Sequence, residues 1–339
     1  TAEDLPEASF AGQQATYLNV KGKQKVVSAV LACWASLFTA RAIYYREKNN
    51  FDHNKVLISA IVQKMVNSEQ SGIMFTVNPA TNNDKEIVIE AVYGLGEMIV
   101  GGEVNPDLYV VNKENKEIKK IEVKKQEIGL FRSEDGKNEK RKISEDLQTR
   151  QIIPDSHIRE LARFGRIIEE HYGKPQDIEW AIENDKVYIV QARAVTTFKK
   201  QSGQSDENTI EEGRIFLKGE TASSGVYSGQ VKIVNDASEL SRIEKGDVLV
   251  TTMTTPDMVP AMQKAGAIIT NEGGMTCHAA IVSREMGTPC IVGTEHATEV
   301  LKEGQTVTVH ASRGIIYAGK LEVIDKVQET ESKKQKTHF

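Results

Sequence analysis

The sequence predicts a multidomain protein that combines the α/β and α+β classes, and three observations support this. With 339 residues, the chain is too long for one ordinary domain. Residues 197–213 contain almost no apolar side chains and divide the chain like a linker. After them, short runs rich in Val and Ile alternate with helical segments, a pattern typical of one compact α/β domain.

Composition excludes several classes of protein. Hydrophobic residues make up 39% of the chain and charged residues 27%, as in folded proteins. The net charge of −5 gives no electrostatic basis for binding nucleic acid or anionic membranes, and no apolar stretch approaches the ~20 residues of a membrane helix. Cys33, Cys277 and Cys290 cannot form a closed set of disulfides, so we expect a cytoplasmic protein. They also lack the spacing of a structural zinc site.

The part of the chain before the linker shows first a helical and then a strand-like period. Apolar residues recur at helical spacing over residues 24–50, and a second helix is predicted from residue 155 to about 172. Residues 132–150 are charged and poor in large apolar side chains, which predicts an exposed excursion. The predicted strands are Val56–Val66, Gly72–Val77, Ile87–Val92, Asp107–Asn112, Glu117–Val123, Asp177–Ile182 and Lys186–Gln191.

The part after the linker predicts two helices, Pro256–Lys264 and Cys277–Met286, between short strands. Its last residues, from Gln328, are polar and rich in lysine and predict a tail or a further linker. The predicted strands are Val226–Val234, Asp247–Thr251, Ala267–Thr270, Cys290–Gly293, Gln305–Val309 and Ile315–Tyr317. The expected domains are residues 1–196 and 214–320, with a linker at 197–213 and a tail at 321–339.

One histidine stands at the start of a predicted helix behind a glycine pair. The strand Ala267–Thr270 leads into Gly273 and Gly274, and the helix begins near Thr276 or Cys277, so His278 lies in its first turn. Backbone N–H groups and the positive end of a helix stabilise an anion. A phosphoryl group on an imidazole is such an anion, and neutral His is a good nucleophile near pH 7. The Thr276 hydroxyl would orient the ring or contact the phosphoryl group.

Two other interpretations of His278 stay open from the residues alone. From position alone, a polar residue at a helix start is the favoured interpretation, since one His near glycines is weak evidence. A metal ligand is less favoured, because only Cys277 adjoins it and no second pair of ligands is visible.

The run from Thr270 to Gly293 resembles the signature of the phosphohistidine domain of PEP-utilising enzymes. The run contains a glycine pair, Thr-Cys-His-Ala-Ala, a helix with Arg, and Pro-Cys-Ile-Val-Gly, and the segment Thr254–Met262 resembles the family's partner segment. The family includes phosphoenolpyruvate synthases, pyruvate phosphate dikinases and enzyme I of the sugar phosphotransferase system, and the order Thr-Cys-His resembles the synthases. The resemblance implies a swivelling β/β/α domain with His278 phosphorylated, supported by Gly273, Gly274 and Thr276. It also implies a regulatory kinase that modifies Thr276.

The part before the linker resembles the ATP-grasp domain of the same enzymes. Residues 1–14 are similar to a loop over the nucleotide phosphates, residues 62–66 to a segment that binds adenine, and residues 90–107 to a glycine-rich acidic block. Each also has a plain interpretation: a turn, a buried strand and a solvated loop. The ATP-binding residues that the resemblance implies are Ser9, Ala11, Gly12, Lys64, Met65, Val66, Glu97 and Arg193.

A carboxylate and an amide lie on the two strands that flank the turn at residues 183–185. Glu179 and Gln191 are placed to approach each other across the strands, and oxygen ligands from adjacent strands suit Mg²⁺ that bridges phosphates. In the family, the matching Glu and Gln hold metal and phosphates and the Arg two positions on, here Arg193, faces the site. An exposed Glu–Arg pair is the alternative.

The resemblance implies a reaction in which ATP, pyruvate and water give AMP, phosphoenolpyruvate and phosphate. The β-phosphoryl group of ATP would reach His278 and then pyruvate. As a flexible coil, the 17-residue linker would span about 20–25 Å on average and about 55–60 Å when extended, which allows a mobile carrier. Alternatives are a dikinase, an antibiotic phosphotransferase module, or a phosphocarrier without catalysis.

The chain is expected to be a fragment, because it opens without Met, inside a motif. The family's N-terminal lobe, with a phosphate-binding Lys and Arg, would precede Thr1, and its barrel for pyruvate or phosphoenolpyruvate would follow Phe339. We therefore expect the isolated chain to form no phosphoenolpyruvate. Expected partners are ATP, pyruvate or phosphoenolpyruvate, those two missing domains and, at full length, further copies of the enzyme, with no nucleic acid and no membrane.

Overall fold

The structure is a computed structural model that describes residues 4–5, 8–9, 15–48, 51–53, 55–195, 209–210, 213–321 and 323–324. A six-stranded sheet forms the centre of a first lobe, residues 15–195, and an eight-stranded sheet forms the centre of a second lobe, residues 213–321. Within the described ranges, no helix is long and apolar enough to cross a membrane.

The elements are numbered along the chain. The strands of the first lobe are β1 (Gln70–Phe75), β2 (Glu86–Tyr93), β3 (Asp107–Asn112), β4 (Ile118–Glu122), β5 (Ile128–Arg132), β6 (Asn138–Lys142), β7 (Gln176–Glu183) and β8 (Lys186–Ala194). Those of the second are β9 (Ile215–Lys218), β10 (Glu220–Ser223), β11 (Val226–Ile233), β12 (Val248–Thr251), β13 (Ala267–Thr270), β14 (Cys290–Val292), β15 (Thr306–His310) and β16 (Ile315–Ala318). The α-helices are α1 (Lys23–Ala35), α2 (Ala40–Lys48), α3 (Glu97–Val100), α4 (Asp155–Tyr172), α5 (Val259–Met262), α6 (His278–Met286) and α7 (Ala297–Val300).

The sheet of the first lobe is antiparallel, in the order β8-β7-β1-β2-β3-β4. Side chains alternate between its faces, so Met74 packs with Ile158 and Leu161 of α4, whereas Ile73 faces the other way, towards Met98 of α3. The face that is turned away from α4 is called the open face below. Helix α4 ends as predicted at Gly173, which has a left-handed φ of 68°.

The sheet of the second lobe has the order β9-β16-β15-β11-β12-β13-β14-β10, with β11 to β14 parallel to one another. Helices α5 and α6 cover one face over buried Leu249 and Ile268, and α7 packs on the other face over Ile269. Since parallel strands end at one edge, the loops that follow β12, β13 and β14 meet there. This edge positions the histidine motif.

The predicted continuous helix over residues 24–50 is wrong, because the chain is interrupted by a 3₁₀ turn at Ser36–Phe38. Thr39 then has extended backbone (ψ 150°), and its hydroxyl oxygen accepts a hydrogen bond from the Ala42 amide at 3.3 Å. Threonine favours such a capping position, so it begins a second helix where apolar spacing alone continues the first.

One other prediction in the first lobe is wrong, and a second is borne out only in part. Val56–Val66 contains no strand: the segment pairs with none of the described strands, although the Gln63 side chain donates to the Val190 carbonyl at 3.2 Å and Met65 packs on the apolar cluster of the sheet. Residues 132–150 are not a bare excursion, because they include β6 of the hairpin β5–β6 and the buried side chains of Ile143 and Gln148. Strand β6 itself is fully exposed, which explains its polar sequence.

In the second lobe, the predicted helix at residues 256–264 is shorter and begins as a 3₁₀ turn, Pro256–Met258. Strands β9 and β10 and helix α7 were not predicted. They have one to three apolar residues each, too few to show a period, and contacts with elements distant in sequence stabilise them instead. Most of the predicted linker and of the predicted tail lies outside the described residues. In the described parts of these two segments, Thr209–Ile210 of the linker pairs with Val323–Ile324 of the tail.

One position in β1 provides a test of this packing. Gly72 faces Trp180 across the strands, and a Cβ added there would lie 1.8 Å from the Glu90 carbonyl oxygen and 2.4 Å from Trp180 Cζ2. We predict that Gly72→Ala lowers the free energy of unfolding by about 2 kcal/mol or more, measured by denaturant unfolding. Gly96→Ala is the matched control, because φ there is −68° and the nearest atom would be 3.5 Å away. Equal effects of the two changes would contradict this account.

Candidate phosphohistidine site

The loop between β13 and α6 carries the histidine motif. The Gly273 residue has a φ of 105°, which an L side chain rarely adopts, and its amide donates to Asn105 Oδ1 of the first lobe at 2.9 Å. Cys277 is extended, with ψ 166°, and α6 begins at His278. His278 therefore occupies the first turn of the helix, at the end with exposed amide donors, as predicted from the sequence.

The His278 ring is held by a threonine from the neighbouring loop. Thr254, three residues after β12, is buried, and its Oγ1 lies 2.8 Å from His278 Nδ1. The ring itself is half-buried. A hydrogen bond at Nδ1 fixes both the orientation of the ring and the tautomer of the imidazole.

A buried glutamate of the first lobe holds the same loop. Glu90, in the central strand β2, is 2% exposed, and its carboxylate accepts from the Met275 amide and the Thr276 hydroxyl, both at 2.5 Å. Burial raises the pKa of Glu90 above its ordinary value, while the hydrogen bonds from Thr276 and Met275 act in the opposite direction. The Thr276 hydroxyl, predicted to orient the ring or contact a phosphoryl group, instead donates to Glu90.

Small and apolar residues complete this contact between the lobes. A Cβ on Gly274 would lie 2.4 Å from Glu90 Oε1 and 2.6 Å from Pro106 Cγ, so a larger residue would push the lobes apart. Met275 is buried in an apolar cluster with Val88, Leu108 and others from the first lobe. The second lobe is thus docked on the open face by the loop that precedes His278.

The predicted metal ligands lie on the same face in line with Glu90. Gln191 pairs with Glu179 across β8 and β7, Glu179 pairs with Ile73 of β1, and Ile73 pairs with Glu90 of β2. Directly paired residues share a face of the sheet, and neighbouring strands lie about 4.8 Å apart. The backbones of Glu179 and Glu90 are therefore about 10 Å apart. The predicted cross-strand approach of Glu179 and Gln191 is borne out by their register, though no cluster of three or more His, Cys, Asp or Glu side chains suited to a metal occurs in the described chain.

Arg193 lies two residues further along β8 than Gln191 and belongs to the next row of paired residues on the same face of the sheet. It pairs with Asp177, which its Nε and Nη2 contact at 2.9 and 2.8 Å, and Asp177 pairs in turn with Phe75. The guanidinium thus lies on the open face beside the Glu179 row. This position is compatible with the predicted role towards a nucleotide.

The remaining predicted ATP-binding residues are less closely gathered. Lys64 is exposed, whereas Met65 and Val66 are half-buried and Met65 packs on the apolar cluster of the open face. Glu97, the first residue of α3, is exposed and its carboxylate accepts from Asn138 Nδ2 at 3.0 Å, so it binds the β5–β6 hairpin. Ala11 and Gly12 lie outside the described residues, and for Ser9 only the backbone is described, paired with Asp4.

Three residues of the site were given no role from the sequence: Glu90, Asn105 and Thr254. Glu90 belongs to the glycine-rich acidic block, but in that block the ATP-binding role was predicted for Glu97. One signal was available, because Glu90 interrupts the apolar run Ile87-Val-Ile-Glu-Ala-Val, and an ionisable residue inside a buried strand requires a partner. Asn105 and Thr254 carry no comparable signal, since their partners lie 168 and 24 residues away.

Two family models match the chain. The model described as pyruvate phosphate dikinase, AMP/ATP-binding domain, matches residues 1–214, and the model described as PEP-utilising enzyme, mobile domain, matches residues 243–314. The second range includes Thr254, the glycine pair and His278.

Curated relatives extend the similarity over nearly the whole chain. A probable phosphoenolpyruvate synthase of Archaeoglobus fulgidus is 54% identical over 95% of this chain and 43% of its own length. The phosphoenolpyruvate synthases of Pyrococcus furiosus and Aeropyrum pernix are 52% and 46% identical, over 97% and 94% of this chain and 41% and 43% of their own lengths. The chain thus spans less than half the length of these relatives. It belongs to the family of the pyruvate phosphate dikinase AMP/ATP-binding domain, joined to a PEP-utilising mobile domain, as in the phosphoenolpyruvate synthases.

Proposed function

We propose that the chain forms the nucleotide-binding and phosphohistidine parts of a phosphoenolpyruvate synthase. The first lobe would be part of an ATP-grasp domain, and the second a swivelling domain that carries a phosphoryl group on His278. The observation that carries this proposal is the position of the His278 loop, which is anchored by Glu90 in the same cross-strand row as Glu179 and Gln191. A nucleotide bound over that row would have its phosphates within reach of the histidine.

The Thr254 contact supports Nε2 of His278 as the nucleophilic atom. In the tautomer in which Nδ1–H donates to Thr254 Oγ1, the lone pair is on Nε2. Nε2 would attack the β-phosphorus of ATP, and the bond to the α–β bridging oxygen would break so that AMP leaves with the electron pair. Water would then release the γ-phosphate. Finally the enolate oxygen of pyruvate would attack the phosphorus, and the N–P bond electrons would return to the imidazole.

The start of α6 would stabilise the charge on the modified histidine. The first amides of a helix have no partner within the helix, and the helix dipole favours an anion there. Gly273 and Gly274, which have no side chains, would allow the backbone of the loop to approach the phosphoryl group closely. These groups would hold the phosphoryl anion on His278 without a further positive side chain.

Magnesium and ATP are the proposed cofactor and substrate. Glu179 and Gln191 supply one carboxylate and one amide oxygen on neighbouring strands, a donor set that fits a hard cation shared with nucleotide phosphates. Bound there, Mg²⁺ would neutralise phosphate charge. Arg193, Lys64, Met65, Val66, Glu97, Ser9, Ala11 and Gly12 are proposed to bind the nucleotide.

The carrier function requires that the second lobe leave the first. We propose that it moves on the linker of residues 197–213, between domains at 1–196 and 214–320, to a barrel that binds pyruvate. The lobe with the phosphate-binding Lys and Arg and that barrel are the proposed partners. A contact made of hydrogen bonds, glycines and one small apolar cluster around Met275 suits a surface that must separate repeatedly.

The Thr276 contact suggests how a regulatory kinase would act. Thr276 is 1% exposed, and its hydroxyl donates to the buried Glu90 carboxylate. A phosphate on Thr276 would place two negative groups in this closed position, so the docked arrangement would be lost. We propose that such a kinase acts on the separated second lobe.

Label transfer from ATP tests the proposed function. With β-³²P-ATP and Mg²⁺, we predict acid-labile label on His278, and none in His278→Ala, measured by mass spectrometry of peptides after a basic quench. If the chain does not load alone, a full-length relative whose own phosphorylated histidine has been replaced supplies the loading parts. His296→Ala, an exposed histidine of the same lobe, is the control and should label normally. Label on another residue would contradict the proposal.

The docking contact is tested separately. We predict that Glu90→Ala lowers the rate of label transfer about tenfold to a hundredfold, because hydrogen bonds to a charged group are worth about 1.5–3 kcal/mol. Thr276→Val should add little in the Glu90→Ala background, since both remove the same bond. Glu145→Ala, an exposed carboxylate on the first lobe, is the control. Fully additive effects of the two changes would show that Glu90 and Thr276 act independently.

A second contact between the lobes makes docking dependent on pH. Glu220 of β10 shares a hydrogen bond with Glu122 of β4, beside Lys120 and Lys124, which lie 2.5 and 2.7 Å from Glu122. Burial and then the Glu122 charge raise the pKa of Glu220 from 4.5 to about 7, while the pKa of Glu122 falls to about 2. The two carboxyl groups therefore share one proton between these values.

The direction of the pH dependence of docking follows from the raised pKa of Glu220. Its contribution to docking is fully present below pH 4.5 and is lost as pH rises to about 7. We predict that energy transfer between a dye on each lobe falls over this window, and that Glu220→Gln, which keeps a donor at all pH values, removes the fall. Glu145→Gln should leave it unchanged. An unaltered pH profile in Glu220→Gln would refute the shared proton.

A further inference from the structure

A cavity lies between the two lobes, away from His278. It measures about 190 Å³ and is lined by Val77, Asn82 and Val195 of the first lobe and by Ser223, Ser224 and Arg284 of the second. The lobes meet beside it, where the Ser224 hydroxyl donates to the Ala80 carbonyl at 2.7 Å. Because both lobes supply its walls, the cavity exists only when they are docked.

Arg284 is the charged group of this cavity. It is half-buried in α6, where its Nε donates to the Ala222 carbonyl at 2.7 Å and its Nη2 to the Met275 carbonyl. The Phe75 ring lies 6.0 Å from its guanidinium carbon. Neutral carbonyls and a ring do not balance a positive charge. The Glu90 and Asp177 carboxylates act on the guanidinium electrostatically, but within the described part of the chain neither forms a direct ion pair with it.

The acidic groups near Arg284 are already engaged. Glu90 uses both carboxylate oxygens on Met275 and Thr276, and Asp177 is paired with Arg193. A guanidinium has five N–H donors in a planar fork that matches a carboxylate, and only two of its nitrogens donate here. The remaining donors, on a guanidinium that no carboxylate contacts directly in the described part of the chain, point to an anion from outside the chain.

The walls of the cavity select the kind of anion. Val195 gives the lining a half-buried apolar side chain, whereas the Asn82 amide and the Ser223 and Ser224 hydroxyls are among its polar groups. The volume corresponds to about six water molecules at ~30 Å³ each. We propose that the cavity is a site for a short-chain monocarboxylate, which would bind Arg284 through its carboxylate and Val195 through its alkyl part and so hold the lobes docked.

The proposal depends on the docked arrangement and not on phosphoryl transfer to His278. A ligand that binds only the docked state stabilises that state by mass action. The site would therefore retain the histidine at the nucleotide domain when the carboxylate is abundant. Failure of label transfer to His278 would leave this site intact, and an absent site would leave transfer intact.

Calorimetric titration of the 339-residue chain with propionate tests the site. We expect a Kd on the order of 1 mM for such a small ligand, with propylamine not binding and inorganic phosphate at least tenfold weaker. Arg284→Gln should weaken propionate at least tenfold. Arg166→Gln, which removes an exposed arginine paired with Glu170 on α4, is the matched control and should bind normally.

Two further variants keep the test decisive. Val195→Phe fills the cavity and leaves Arg284 in place, so it should abolish binding even if Arg284→Gln does not fold. Glu90→Ala lies outside the cavity but loosens docking, so it should weaken propionate as well. Unchanged affinity in Val195→Phe, or equal affinity for phosphate or propylamine, would overturn the proposal. Unchanged affinity in Glu90→Ala would overturn the requirement for docked lobes.

Discussion

The arrangement of the two lobes depends on one buried carboxylate. Glu90 lies in the central strand of an antiparallel sheet, where an ionised group without partners would be costly. The Met275 amide and the Thr276 hydroxyl offset part of that cost by donating to it, and both belong to the loop that ends at His278. A group that is unfavourable in one lobe alone therefore becomes a specific attachment point for the other.

The same constraint explains the sequence of the loop. Gly274 leaves room for Glu90 Oε1 and Pro106, and Gly273 turns its amide towards Asn105. From the sequence motif alone, the two glycines and Thr276 were all predicted to support the phosphoryl group. In the structure, Thr276 and Met275 face the first lobe while Cys277 ends the loop and His278 begins the helix, so one short segment both docks the lobe and presents the histidine.

The open face of the first lobe gathers chemistry that lies far apart along the chain. Gln191, Glu179 and Glu90 share one row, and Arg193 and Asp177 share the next. The alternation of side chains in a strand assigns the other face to α4, so the polar groups collect on the face that meets the second lobe. The Glu122–Glu220 pair and the Arg284 cavity both lie between the lobes, where, as proposed, protons and a small anion would influence docking.

The sequence by itself determined the local features of this protein. Glycines followed by an apolar helix placed His278 in a first turn, the turn at residues 183–185 set Glu179 against Gln191, and Gly173 ended α4, because each depends on neighbours within a few residues. Only the tertiary structure decided which residues hold that histidine. Thr254, Asn105 and Glu90 are 24, 168 and up to 186 residues from their partners, and no local period encodes such contacts. The sheet register and the docking of the two lobes determine these contacts. They also determine that Glu97 is exposed and that the Thr276 hydroxyl is buried against Glu90.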